Sequence, residues 1–208
     1  MSCLGCAPMR PLDLPRPANR SVRAARATAR KIVAASLIVA GLITAASALH
    51  HPAKARLGQH LLATAWEAGG AKPWAWADFT AYARIEAPGL GVSAIALSTS
   101  TGAAMAWGPG HVTGAPRPGD PGLAAFAGHR DSHFAFLGDL KPGDAITVET
   151  TGVRRLYRVT AGVVVDSRKW RMPTGGAERL ALSTCWPLGA ETPGPLRLIL
   201  FADPVEPA

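Results

Sequence analysis

The chain has 208 residues, enough for one ordinary domain with additions. It is 48% hydrophobic and only 17% charged, which excludes a disordered chain or a coiled coil. The net charge of +8 is local. Residues 1–31 hold seven of the 22 Lys/Arg and one of the 14 acids, so the rest is nearly neutral and no nucleic-acid partner is expected.

Residues 1–31 read as a basic cytoplasmic tail. Residues 32–49, IVAASLIVAGLITAASAL, form an uncharged run of 18 residues that reads as a transmembrane anchor. Five bases between Arg20 and Lys31 precede it. The positive-inside rule then keeps the N-terminus cytoplasmic and exports the remainder, as a single-pass protein of the inner (cell) membrane with a periplasmic or extracytoplasmic domain. Ala46-Ser47-Ala48 also offers a signal-peptide cleavage site, but the 30-residue lead favours a retained anchor. Cys3 and Cys6 fall on the reducing side as free thiols, which leaves Cys185 as the one exported cysteine.

Residues 50–79 read as a helical stalk and a Trp-rich linker. Pro52 suits a first helical turn, Leu57, Leu61, Leu62, Ala65 and Trp66 crowd one face, and Gly69-Gly70 close the helix. KPWAWADF (72–79) suits either a cap on the core or the membrane interface. Residues 80–208 change character. Strands are expected at 82–87, 93–97, 123–128, 145–150, 154–165, 179–184 and 196–202, punctuated by turns such as Pro88-Gly89 and Pro142-Gly143-Asp144. Short helical turns fit 102–107 and 132–137, and 109–121 reads as a surface loop. The pattern is an all-β sandwich or barrel.

Three reactive side chains fall at strand ends: His129 after LAAFAG, Cys185 after RLALST, and Arg197 early in the last strand. A thiolate, an imidazole and a guanidinium supply what acyl transfer needs: a nucleophile, a proton donor for the leaving amine, and a cation for the developing oxyanion. Thiolate and imidazolium must coexist, so the pair titrates as a unit. Taken singly, Cys185 reads equally as core filler, His129 as a turn residue, and Arg197 as a surface base.

Ala127-Gly128-His129-Arg130, followed by Phe134, Phe136, Leu137, Leu140 and Lys141-Pro142-Gly143-Asp144, resembles the histidine segment of the sortase family. Leu182-Ser183-Thr184-Cys185 resembles its nucleophile signature, and Arg197 falls where sortases carry their essential arginine. The resemblance covers about residues 80–203. The anchor, helix and KPWAWADF preface resemble the Gram-negative (class GN) sortases most. Ser183 departs from the hydrophobic residue frequent there.

The resemblance implies a closed eight-stranded β-barrel with short helices, preceded by the transmembrane and stalk helices. It implies a membrane-anchored cysteine transpeptidase. Such an enzyme cleaves an LPxTG-like C-terminal signal of a secreted protein through a thioester and passes the acyl group to a cell-surface amine. Its remaining partner is membrane lipid, through the N-terminal helix. Cys185 is then the nucleophile, His129 the general acid/base, and Arg197 the group that orients substrate and supports the oxyanion. Thr184 shapes the pocket, and Trp170 and Met172, in the loop before the cysteine strand, are candidates for substrate contact or for loop anchoring. Asp139, Asp144 and Glu149 are too scattered for a calcium site, so no metal and no cofactor is expected. Two other readings remain: a non-catalytic, membrane-tethered binding module, and a His/Cys metal-binding domain built on His129, His133, Cys185 or His111.

Overall fold

A computed structural model describes residues 20–173, 175–190 and 192–206. The Cys3/Cys6 pair and most of the basic tail lie outside them. The chain divides into two units, residues 1–48 and 49–208.

The first unit contains the start of α1 (Arg20–Glu67). Its stretch Ala24–Ser47 spans 24 residues, and an 18-residue window within it has a mean hydropathy of 1.7, long and apolar enough to cross a membrane. Thr44 and Ser47 return their hydroxyls to the carbonyls of Ala40 and Ile43, so neither leaves a donor facing an apolar surrounding. The helix expected over 50–70 is helical to Glu67 as part of α1, and the helical backbone runs through Pro52. Proline removes one ladder bond, but the alanines and leucines on both sides favour helix strongly enough to carry the chain past it.

The second unit is a closed barrel of eight strands, β1 (Ala81–Ala87), β2 (Val92–Leu97), β3 (Gly110–His111), β4 (Leu123–Ala127), β5 (Ala145–Thr150), β6 (Val153–Asp166), β7 (Arg179–Cys185) and β8 (Leu196–Pro204). Their order around the barrel is β1-β2-β3-β4-β7-β8-β6-β5, closed by β1 against β5. Two neighbours are parallel, β2 with β3 and β4 with β7. Seven strands follow the sequence expectation within a residue or two. The eighth, β3, falls in the stretch read as a loop. Two residues carry no alternation to detect, and β3 exists because Gly110 and His111 pair with Ala127 and Phe126 of β4.

Alternation sorts each strand between two apolar clusters. One face supplies the interior: Ile85, Ala124, Phe126, Ile146, Val148, Tyr157, Leu180, Leu182, Leu198 and Leu200, joined by Phe134 and Leu137 from the segment after β4. On the opposite face of β4, β7 and β8, Leu123, Ala125, Ala181 and Ile199 form a second cluster outside the barrel. The C-terminal part of α1 closes a third side. Leu62 and Ala65 pack with Phe79, Ile95 and Leu97, and the Gln59 amide joins the helix to β2. Its Nε2 donates to the carbonyls of Ile95 and Trp107, both at 3.0 Å, and its Oε1 accepts the Ile95 N–H at 2.7 Å. KPWAWADF divides its tryptophans. Trp74 packs edge-on against Phe79 and Trp107, whereas Trp76 stays 85% exposed.

Candidate active site

Cys185 ends β7, directly opposite Arg197 of β8. The next pair, Trp186 and Leu196, carries a ladder bond from the Trp186 N–H to the Leu196 carbonyl at 3.0 Å. Cys185 and Arg197 therefore form a non-hydrogen-bonded pair, the kind in which opposed Cα atoms approach to about 4.5 Å and side chains share one face. That face is the outer one, continuing from Ala181 and Ile199.

His129 comes from the strand on the other side of β7. β4 and β7 run parallel with Ala127 beside Ser183. The Gly128 N–H bonds the Ser183 carbonyl at 3.0 Å, the last ladder bond of that pair, and His129 follows directly on Gly128. Gly128 is held at both polar groups, because the buried Thr184 hydroxyl donates to its carbonyl at 2.8 Å. A Cβ on Gly128 would meet the Phe134 ring at 2.8 Å, so this position requires glycine. The His129 carbonyl then accepts the Phe134 N–H at 3.1 Å, which pins the turn after the histidine to the core.

Thr184 faces the interior, and its hydroxyl is committed to Gly128. Trp170 and Met172 pack against the outer cluster of Leu123, Ala125, Ala181 and Ile199, the same side of the sheet as Cys185. Their loop leaves β6 through a tight knot. The Asp166 carboxylate accepts from Nε and Nη2 along one edge of the Arg168 guanidinium and from the Arg168 backbone N–H, which holds the carboxyl down to about 2. The Arg197 Nη1 donates to the carbonyls of Gly194 at 2.7 Å and Leu196 at 2.8 Å.

His133 is partly buried, and its Nε2 has no hydrogen-bond partner among the described residues. Burial, and next the neighbouring His129, lower its pKa to about 4. His111 sits elsewhere, with Nε2 on the Pro116 carbonyl at 3.0 Å and burial lowering its pKa. Among the described residues no three His, Cys, Asp or Glu side chains gather as a metal site requires. A cavity of about 670 Å³ lies against α1, lined by Leu57, Leu61, Trp74, Trp76 and Trp107; none of the three reactive residues borders it.

The sortase domain family matches residues 85–205, more than half of the chain. The chain belongs to the sortase family of cysteine transpeptidases. Solved sortases share its fold. Sortase C-1 from Actinomyces oris is 27% identical, with a TM-score of 0.52 over 60% of this chain and 73% of that one. Sortase C-3 from Streptococcus pneumoniae is 23% identical, with a TM-score of 0.55 over 63% and 65%. A lid mutant of sortase A from Corynebacterium diphtheriae is 20% identical, with a TM-score of 0.57 over 74% and 96%. No curated protein matches the chain. These neighbours are class A and class C sortases, and none speaks for the Gram-negative class in particular.

The sortase barrel explains what sequence reading missed here. Arg130, noted only as part of a motif, donates to the carbonyls of Pro187, Ala190 and Thr192. Nothing local marks it, since its partners lie 57 to 62 residues away.

Proposed function

We propose that this sortase cleaves an LPxTG-like C-terminal signal on a secreted protein and transfers the acyl group to a cell-surface amine. The observation that carries the reading is the pairing of Cys185 with Arg197, with His129 two residues beyond the end of β4, the strand on the other side of β7. The Cys185 thiolate attacks the threonyl carbonyl carbon. The carbon–nitrogen bond to the following glycine breaks, the glycyl amine takes the proton of the His129 imidazolium, and a thioester remains on Sγ. The acceptor amine then attacks the thioester and returns a proton to His129, and Cys185 leaves as thiolate. Arg197 orients the peptide and supports the oxyanion. Thr184 acts through Gly128, by fixing the backbone that presents His129. Trp170 and Met172 give apolar contacts to the signal.

The basic, apolar start of the chain supports a retained anchor with the N-terminus in the cytoplasm and the barrel outside it. The anchor and the KPWAWADF segment are what favour a Gram-negative sortase. Mass spectrometry after incubation with an LPxTG-like peptide tests the chemistry. A thioester adduct on Cys185 is expected, absent in Cys185→Ala, with turnover lowered about 10²–10⁴-fold in His129→Ala and Arg197→Ala. Wild-type chain without an adduct, or either variant near the wild-type rate, overturns the assignment concerned.

A further inference from the structure

The loop between the nucleophile strand and the arginine strand, residues 186–195, is poor in donors. Its sequence WPLGAETPGP includes Pro187, Pro193 and Pro195, none of which has an N–H. Among its described residues few backbone bonds tie it down: Trp186 N–H to Leu196, Ala190 N–H to Pro187 at 3.4 Å, and the Pro195 carbonyl accepting the Ser167 N–H. Carbonyls in such a segment need outside donors.

Two guanidinium groups supply them. Arg197 takes the carbonyls of Gly194 and Leu196 at the end of the loop. Arg130 takes three more. Its Nη1 donates to Pro187 at 3.1 Å, and its Nη2 donates to Ala190 and, at 2.9 Å, to Thr192. No carboxylate pairs with Arg130 among the described residues, so its charge is met by three carbonyl dipoles. A planar fork can serve acceptors spread over six residues; a lysine ammonium is a point charge on a flexible stem and holds no such fan.

We infer that Arg130 is a positioning residue for the transfer reaction: it locks the loop beside Cys185 to the residue that follows His129. The inference rests on the reading of Cys185 and His129 as the reacting pair. Through Arg130, the loop leaving the nucleophile and the segment carrying the proton donor move as one piece. A shift of the loop relative to His129 then changes how the scissile carbonyl lies between them, and misplacement of that kind is costly.

The experiment uses the full chain with Arg130→Ala and Arg130→Lys. Hydrogen exchange of residues 186–196 should speed up about tenfold or more in both variants, with the barrel strands unchanged. With an LPxTG-like peptide, kcat/KM should fall about 10–100-fold in Arg130→Ala. Millimolar guanidinium ion should restore part of that loss and ammonium ion none, a rescue that a merely structural residue would not give. Unchanged loop exchange in Arg130→Ala overturns the inference, as does faster loop exchange with an unchanged rate. So does a loss of rate that follows a loss of protection in the strands. The exchange readout needs no substrate. A wild-type chain inert to the peptide counts against the transpeptidation proposal, and the exchange comparison alone then decides Arg130.

Discussion

At the scale of single residues, the site depends on one backbone unit, Gly128. Its N–H donates to the Ser183 carbonyl and its carbonyl accepts from the Thr184 hydroxyl, so the backbone just before His129 is tied to β7. Thr184→Val keeps shape and removes the donor. It should cost about 1–2 kcal/mol, because the hydroxyl bond is lost and its acceptor is left in a buried setting. Thr184→Ser keeps the donor and should lie nearer wild type. Denaturant midpoints of the three chains check the order, and a valine variant as stable as wild type would remove Thr184 from this role. The candidate residues stand out in the sequence by type and by position at strand ends. The strand order that puts β7 between β4 and β8 does not, since it depends on a parallel β4–β7 pairing that no local pattern encodes. Arg130 was illegible for the same reason. Its partners are backbone carbonyls, which carry no residue identity.

At the scale of elements, the joint between α1 and the barrel is drawn tight at Gly58 and Gln59. A Cβ on Gly58 would meet the Trp107 ring at 2.7 Å and the Trp107 carbonyl at 3.3 Å. Alanine normally improves a helix by about 1 kcal/mol over glycine. Here Gly58→Ala should instead destabilise by about 1–2 kcal/mol, the usual range for overpacking. Gln59→Ala removes three hydrogen bonds to Ile95 and Trp107 and should cost about 1–3 kcal/mol. Thermal unfolding of the full chain measures both; a higher melting temperature in Gly58→Ala would show that the joint yields. Elements were legible where they carried a period. β5 coincides with its expected range, Ala145–Thr150, because alternation and the Pro142-Gly143 turn agree.

At the scale of the whole molecule, buried ionisable groups set the pH range over which the barrel holds. At the alkaline side, Tyr157 donates to Glu178 at 2.7 Å inside the barrel. Burial first, and then Glu178, raise its pKa. The unfolded tyrosine ionises near 10, so stability falls as pH climbs beyond that. At the acid side His133 and His111 both contribute, each lowered first by burial. His133 titrates near 6.5 in the unfolded chain and at about 4 in the fold, lowered by burial and by His129, with Asp131 opposing. Between those values the unfolded chain binds more protons, so stability rises with pH across the window and is lost as pH falls through it. The full difference is on the order of 3 kcal/mol. For a chain of this size that is a drop of about 5–10 °C in melting temperature between pH 6.5 and 4. His133→Gln has no proton to take up and should flatten the acid limb over that interval, while leaving the alkaline limb, which belongs to Tyr157, in place. Melting curves of both chains from pH 4 to 11 separate the two groups. An acid limb equally steep in His133→Gln would move the acid sensitivity to other side chains.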